Sequence, residues 1–375
     1  MTAAAERHVL QLCHGYDGPF LDCARQYASL FAGRGYRVTT VFLIGKADAA
    51  VAQACASDEV EFLQFSSHEV RGLKVAAIMA LRKIVARHPY AFCIAHRSKP
   101  IYVALLATRL PVIGVLHAFG SYQRGSRRLF ANLYRRRLAL LGVSDAVRDD
   151  IRHCLQRWPA ERIETLHNRI DLASCQAMLL PAPQAREQLG LANDDWVVAN
   201  VGRLHPDKDQ ATLLKGFALA LPRLPARARL VIMGKGRLLA PLQQQAVELG
   251  ISERVLFTGQ VPQGARYFKA FDAFVLSSDH EPFGMVLLEA MAAGVPVLAT
   301  ACGGAPEVVG SVGELFPLGD AQALAEGLVR LAGWAPAQRA AYNEAMAQRL
   351  RAHFSYTGVA AVFWQLPMVS QWAAA

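Results

Sequence analysis

The sequence predicts an α/β protein built from two doubly wound domains, each a parallel sheet with helices on both faces. Three observations carry that expectation. The chain has 375 residues, too many for one ordinary core and suited to two domains of about 150 to 200 residues each. Short β-branched apolar runs alternate with helical periods along its whole length, the signature of strands joined by crossover helices. The alternation then restarts after a Pro-containing break, LLPAPQAREQLG, which reads as a linker. The expected division is residues 1–180, residues 181–352 and a terminal segment, 353–375.

Each element has a local reason. HVLQLCHG reads as the first strand, and PFLDCARQYASLFAGRG as a helix that stops at Gly33 and Gly35 because glycine favours helix C-termini. YRVTTVFL, EFLQF, AFCIAH, PVIGVLH and LALLGVS follow as strands of the first sheet. In the second half WVVANVGRL, ARLVIMGKG, RVLFTG, AFVLSS and Val297 to Thr300 are strands. Between and after them DQATLLKGFALAL, LLAPLQQQAVELG, GARYFKAFD and DAQALAEGLVRLAGW read as helices. The terminal segment HFSYTGVAAVFWQLPMVSQWAAA also reads as helical, and Pro367 must end or kink it, since proline removes a helix donor and clashes with the preceding turn.

Composition narrows the function. No run of about 18 consecutive apolar residues exists, so no membrane-spanning helix is expected. The start, MTAAAERHVLQL, lacks the basic region and cleavage site of a signal peptide. The seven cysteines are odd in number and scattered, with no Cys-x-x-Cys. Neither a disulfide framework nor a metal site is expected, and a cytoplasmic setting fits. Residues 1–180 hold 24 Lys/Arg against 14 Asp/Glu, whereas residues 181–375 hold 16 of each. The densest stretch, 124–137, carries Arg124, Arg127, Arg128, Arg135, Arg136 and Arg137 and no acid. Leu129, Phe130, Leu133, Tyr134 and Leu138 recur there at helical spacing, which predicts a basic amphipathic helix. Such a helix can bring the protein to an anionic membrane surface or a phosphate-bearing acceptor, or it can be a solvated helix packed on its own core. No nucleic-acid-binding motif accompanies it, so nucleic acid is not an expected partner.

The most informative stretch is Glu281-Pro-Phe-Gly-Met-Val-Leu-Leu-Glu289, followed by AMAAGVPVLAT. Two acceptor-only carboxylates there flank a helix start at the carboxyl edge of a parallel sheet. They can grip the two ends of a hydroxyl-rich ligand, about 12 Å apart if the interval were wholly helical. Free backbone N–H groups at Phe283, Gly284, Met285 and Val286 suit a phosphate. In VGRLHPDKD, Arg203 and Lys208 suit a diphosphate, one by its fork and the other as a point charge.

Taken together, EPFGMVLLEAMAAGVPVLAT resembles the donor-site signature of the retaining glycosyltransferases of family 4, which have the GT-B fold of two Rossmann-like domains facing across a cleft. The resemblance implies that Glu281 lies by the donor sugar and Glu289 holds the ribose hydroxyls. It implies Arg203 and Lys208 on the donor diphosphate, Gly234 and Gly236 close to the nucleotide, and the FTGQVPQ backbone beside the base. Gly303 and Gly304, ahead of Glu307, form a further donor-side turn. His117 would face the donor sugar, with His96 a second and less decisive histidine. Ser144, in LGVSDAVRDDI, is given a structural role. Where the family carries a Gly-Gly pair after its first strand, this chain has Gly15 and Gly18 separated by Tyr16 and Asp17. Asp17 there is either a sugar-hydroxyl acceptor or a turn former. HNRIDL departs from the usual Asn-Gly-Ile-Asp by placing Arg169 in the glycine position, with Asn168 and Asp171 left to order the hinge.

The activity implied is metal-independent, retaining transfer of a hexose or deoxyhexose from a nucleoside-diphosphate sugar to a glycan acceptor, without a protein nucleophile. Lipopolysaccharide core or a similar lipid-linked envelope glycan is the expected acceptor. The enzyme would sit peripherally at the inner face of the cytoplasmic membrane, and its terminal segment would cross back to the first domain. The competing readings are a GT-B sugar-nucleotide 2-epimerase and a non-catalytic nucleotide-sugar sensor.

Overall fold

The computed structural model describes residues 7–18 and 20–374. Two compact units divide the chain: Met1–Asn168 with Val359–Ala375, and Arg169–Gly358. The breaks fall at 168/169 and 358/359 rather than at the 180/181 and 352/353 suggested by the Pro-containing run. The first offset is the stretch 169–180, whose helix, Leu172–Met178 capped by Asp171, belongs to the second unit together with the helix that Pro181 caps.

The first unit holds a seven-stranded sheet: β1 (Arg7–Cys13), β2 (Tyr36–Ile44), β3 (Glu59–Phe65), β4 (Tyr90–His96), β5 (Val112–Leu116), β6 (Leu138–Gly142) and β7 (Ile163–Thr165). Its spatial order is β3-β2-β1-β4-β5-β6-β7, and every pairing is parallel. The strands are near-continuous apolar runs because both faces are covered. Val9, Leu10, Val41, Phe92, Ile94 and Ile113 are buried. The helices are α1 (Phe20–Ala28), α2 (Ala49–Ala54), α3 (Val75–Val85), α4 (Ser98–Ala107), α5 (Gly125–Tyr134) and α6 (Asp145–Cys154). The buried Gln11 of β1 is tolerated because its amide donates to the Ala24 carbonyl at 2.9 Å and to Thr40 Oγ1 at 3.1 Å.

The second unit opens with α7 (Leu172–Met178) and α8 (Ala182–Leu189). Its sheet comprises β8 (Trp196–Val201), β9 (Ala228–Met233), β10 (Val255–Gly259), β11 (Ala273–Leu276), β12 (Val297–Thr300) and β13 (Glu314–Phe316), in the order β10-β9-β8-β11-β12-β13. Around it lie α9 (Gln210–Ala220), α10 (Leu239–Glu248), α11 (Met285–Ala292), α12 (Ala305–Val309), α13 (Ala321–Ala332) and α14 (Pro336–Arg349). Val198, Phe217, Leu230, Leu298 and Leu324 form its core. GARYFKAFD, expected as a helix, is a 3-10 helix over Gly264–Ala270.

Two last helices, α15 (Tyr356–Gln365) and α16 (Pro367–Ala374), end the described chain, with Pro367 opening a new helix where it breaks the old one. Trp364 donates its indole N–H to the Leu30 carbonyl at 3.1 Å, and Phe363 meets Phe31 edge-on at 5.6 Å. Among the described residues no helix is long and apolar enough to cross a membrane.

Candidate active site

In an open parallel sheet, ligands collect outside the carboxyl ends of strands where the order reverses direction. In the second unit that point lies between β8 and β11. The loop after β8 carries Arg203 and Lys208, and the loop after β11 carries Glu281. Lys208 Nζ donates to Glu281 Oε2 at 2.7 Å. Ser278 Oγ sits between them, donating to the same carboxylate oxygen at 3.3 Å and accepting from Nζ at 3.4 Å. Glu281 is only 8% exposed, so the pair is a buried, hydrogen-bonded charge pair and not a surface ion pair. The backbone stitches the two loops as well: Ser277 Oγ donates to the Lys208 carbonyl at 2.9 Å, and Asp279 N–H donates to the Asp207 carbonyl at 3.1 Å.

Arg203 is largely exposed, and its guanidinium donates to Asp207 Oδ2 at 3.1 Å. His205 Nδ1 contacts the other oxygen of the same carboxylate. Asp207 and Ser278 were not singled out from sequence. Signals did exist: an acid four residues after Arg203, and a Ser-Ser pair ending a strand.

The helix that bears Glu289 begins at Met285, with Gly284 as its N-cap. Only the second half of the Glu281–Glu289 interval is therefore helical, and the wholly helical spacing does not apply. Glu289 lies in the second turn of α11 and is half-buried. Phe283 is buried and meets Phe354 edge-on at 5.9 Å. Its ring is packing, and only its backbone remains for a ligand. Met285 and Val286 are in the first turn, where N–H groups have no acceptor within the helix.

Two glycines are dictated by close backbone approach. A Cβ on Gly303, whose φ is +57°, would lie 2.1 Å from the Glu281 carbonyl oxygen, and the next residue, Gly304, donates its N–H to that oxygen at 2.8 Å. The turn after β12 is thus latched onto Glu281. A Cβ on Gly234 would lie 1.8 Å from the Gly202 carbonyl oxygen, while Gly234 N–H donates to the Gly259 carbonyl at 2.8 Å. The ends of β8, β9 and β10 thereby meet backbone to backbone.

The first unit has its own reversal between β1 and β4. A cavity of about 320 Å³ lies there, lined by His14 after β1, Arg97, Ser98 and Lys99 after β4, and His117 after β5. His117 Nε2 is 3.1 Å from His96 Nδ1. One ring must donate and the other accept, so neutral imidazoles of complementary tautomer satisfy the contact. Burial, then the charge of Arg97, lowers His117 to about 4. Burial, then Lys99 and Arg97, lowers His14 to about 4. His96 lies well below the ordinary histidine range, through burial first and His117 second. His96 does not line the cavity. It is buried behind His117 with its ring edge-on to Tyr27 at 4.8 Å, so it supports His117. Gly15, Asp17 and Gly18 are not brought into the cavity lining either. Asp17 is exposed in its turn, whereas Tyr16 folds onto Phe42 and Phe62 and donates to the Lys46 carbonyl at 2.9 Å.

The basic segment is helical only to Tyr134. Arg137 caps the end of α4, donating to the Leu105, Thr108 and Leu110 carbonyls at 2.9 to 3.0 Å. Leu138 belongs to β6 and is buried, but Leu129 and Leu133 are 73% and 74% exposed. Ser144 caps α6 by accepting from the Val147 N–H at 3.1 Å.

Comparison with known proteins agrees with this architecture. Residues 182–346 match the model of glycosyl transferases group 1, and residues 23–174 match that of glycosyltransferase family 4. The chain belongs to the family 4 glycosyltransferases of GT-B fold. N-acetyl-alpha-D-glucosaminyl L-malate synthase of Bacillus anthracis is 29% identical over 248 residues, 65% of this chain and 62% of that protein. D-inositol 3-phosphate glycosyltransferase of Thermomonospora curvata is 41% identical over 133 residues, 33% of this chain and 31% of that protein. The matches thus span less than two thirds of either relative. Among solved structures, a glycosyltransferase from Rickettsia africae superposes with TM-score 0.83 at 14% identity, covering 99% of both chains. HepE of Anabaena in complex with UDP gives 0.77 at 23% identity, over 97% of this chain and 100% of that one. The lipopolysaccharide outer core galactosyltransferase WaaB gives 0.72 at 18%, over 97% and 99%.

Proposed function

We propose that this glycosyltransferase moves a hexose or deoxyhexose, with retention, from a nucleoside-diphosphate sugar to a lipid-linked envelope glycan, without a metal. The observation that carries the reading is the Lys208–Glu281 pair at the reversal of the second sheet. A donor diphosphate competes with Glu281 for Lys208, and together with Arg203 and the first-turn N–H groups of α11 it offsets the charge gathering on the leaving group. Glu281, released from Lys208, turns its carboxylate to the sugar and steadies the positive charge developing on the ring. Glu289 takes the ribose hydroxyls as an acceptor. His117, uncharged at neutral pH, hydrogen-bonds a sugar hydroxyl without adding a cation beside an oxocarbenium-like centre. With no protein nucleophile assigned, the departing phosphate accepts the acceptor's proton on the same face, which retains configuration.

The acceptor part rests on the basic first half of the chain and on the fold shared with WaaB, a lipopolysaccharide outer core galactosyltransferase. The location proposed is peripheral, at the inner face of the cytoplasmic membrane. A panel of UDP-, GDP-, TDP- and ADP-sugars in EDTA tests the donor side by thermal shift. Stabilisation by one nucleotide family, lost in Glu289→Ala, supports it; no shift by any donor overturns it. Product anomeric configuration by NMR tests retention, and unchanged turnover in EDTA tests metal independence. Equal, salt-independent rates on a small soluble acceptor and a lipid-linked one would remove the membrane acceptor.

A further inference from the structure

The first unit contains a second cavity, of about 430 Å³, framed by the start of α3 and by α4 and α5. Four cations line it, Arg71, Lys74, Lys99 and Arg127, and no Asp or Glu is among its lining residues. The charges crowd one another: burial, then Lys99 and Arg127, lowers the Lys74 ammonium, and burial, then Arg71 and Arg97, lowers Lys99. The floor is aromatic. Lys74 Nζ stands 4.6 Å over the Tyr102 ring, and Phe130 packs on Tyr102 at 4.8 Å. Lys99 and Arg127 also line the cavity at the β1/β4 reversal, so the two chambers are neighbours.

The rim is unlike an ordinary solvated surface. Leu73 and Val75, at the start of α3, are 73% and 61% exposed, and Leu129 and Leu133, one turn apart on α5, are about as exposed as Leu73. Arg124, Arg128, Arg135 and Arg136 are exposed on or beside the same helix. Large apolar side chains standing out of a basic surface are the pattern of a helix that lies in a membrane interface. Clustered cations without acids are the pattern of a phosphate site. The two patterns share the same elements: Leu73 and Val75 flank the lining residue Lys74, and Leu129 and Leu133 lie on α5 with the lining residues Arg127 and Phe130.

We propose that this cavity seats the phosphate of a membrane amphiphile while Leu73, Val75, Leu129 and Leu133 enter the acyl region. The phosphate is screened from competing acids, its ester substituent rests on Tyr102 and Phe130, and the reacting end of the amphiphile is left towards the neighbouring chamber. The inference rests on the membrane-acceptor reading above and narrows it to a phosphate-bearing acceptor or headgroup.

The test is co-sedimentation of the full chain with vesicles of phosphatidylcholine alone and of equal parts phosphatidylcholine and phosphatidylglycerol, at low and high salt. Binding to the anionic vesicles and not the neutral ones is expected. Arg71→Gln/Lys74→Gln should weaken it roughly tenfold or more, since each basic residue near an anionic surface adds about a factor of five to partitioning. Leu129→Ser/Leu133→Ser, at exposed positions that leave the core intact, should weaken it comparably but with an unchanged salt slope. Glycerol 3-phosphate should compete weakly; if it binds as tightly as the vesicles, the site is one for a soluble phosphate and the membrane part of the proposal falls. Wild-type binding by the Arg71/Lys74 variant, with its melting temperature unchanged, overturns the cavity assignment while leaving the membrane-acceptor reading intact. No vesicle binding by the wild-type chain overturns both.

Discussion

The two sheets reverse strand order in the same way, yet they place opposite chemistry at the reversal. In the second unit a lysine and a glutamate meet at 2.7 Å with a serine between them, a charge pair already satisfied and able to exchange partners. In the first unit two stacked histidines meet at 3.1 Å, held neutral by burial first, with His117 lowered further by the charge of Arg97 and His96 by His117. One site can move charge towards a ligand; the other presents hydrogen bonds without bringing charge. Equivalent topology therefore supplies a position, and the residue types at the strand ends decide what happens there.

Lys208→Met is the most direct way to break the contrast. It should cut kcat/KM by about a thousandfold, the scale of losing a group aimed at developing charge. It should also destabilise the second unit by roughly 3 kcal/mol, because it strands a buried carboxylate. The double variant Lys208→Met/Glu281→Gln should recover most of that stability in a denaturant melt and none of the activity. Equal instability of single and double variants would mean that the pair is not the stabilising contact.

Gly303→Ala should cost about 2 to 3 kcal/mol by the same measurement, since its Cβ falls within 2.1 Å of the Glu281 carbonyl oxygen at a left-handed φ. The first unit should respond to acid. The folded-state value of His117 is depressed to about 4 from an ordinary 6.5, so its contribution is complete above pH 6.5 and is lost as pH falls towards 4. The unfolded chain takes up the proton first, and the loss is on the order of 2 kcal/mol over that window. His117→Gln should flatten this dependence; an unchanged slope would show that another group is responsible. The smallest effect is expected at Asp207→Asn, which frees the exposed Arg203 and should raise donor KM by roughly threefold, as for a surface ion pair.

The second unit was far more legible in the sequence than the first. Glu281, Glu289, Arg203, Lys208 and the close-packed glycines stand in short linear motifs, where the backbone alone brings each near its strand end. The Lys208–Glu281 contact was not legible, because those residues are 73 positions apart and each had an independent reading as a ligand group. The His96–His117 contact was hidden for the same reason, and His96 proves to lie behind the cavity rather than in it. The three-residue strands β7 and β13 carry too few side chains to show a period. Leu129 and Leu133 show the limit of periodicity itself: helical spacing marked one apolar face of a basic amphipathic helix, but spacing does not say whether anything packs against it.

The closing helices bear on how this chain is made. Trp364 hydrogen-bonds the Leu30 carbonyl across 334 positions of sequence, and Val359–Ala375 belongs to the unit that the first 168 residues begin. The half synthesised first is therefore completed last. A released chain truncated after residue 358 should protect its second unit from protease while the segment around Leu30 is still cut; protection of both would refute this order. During translation the first unit waits, with Phe31 uncovered, for α15 and α16 to leave the ribosome.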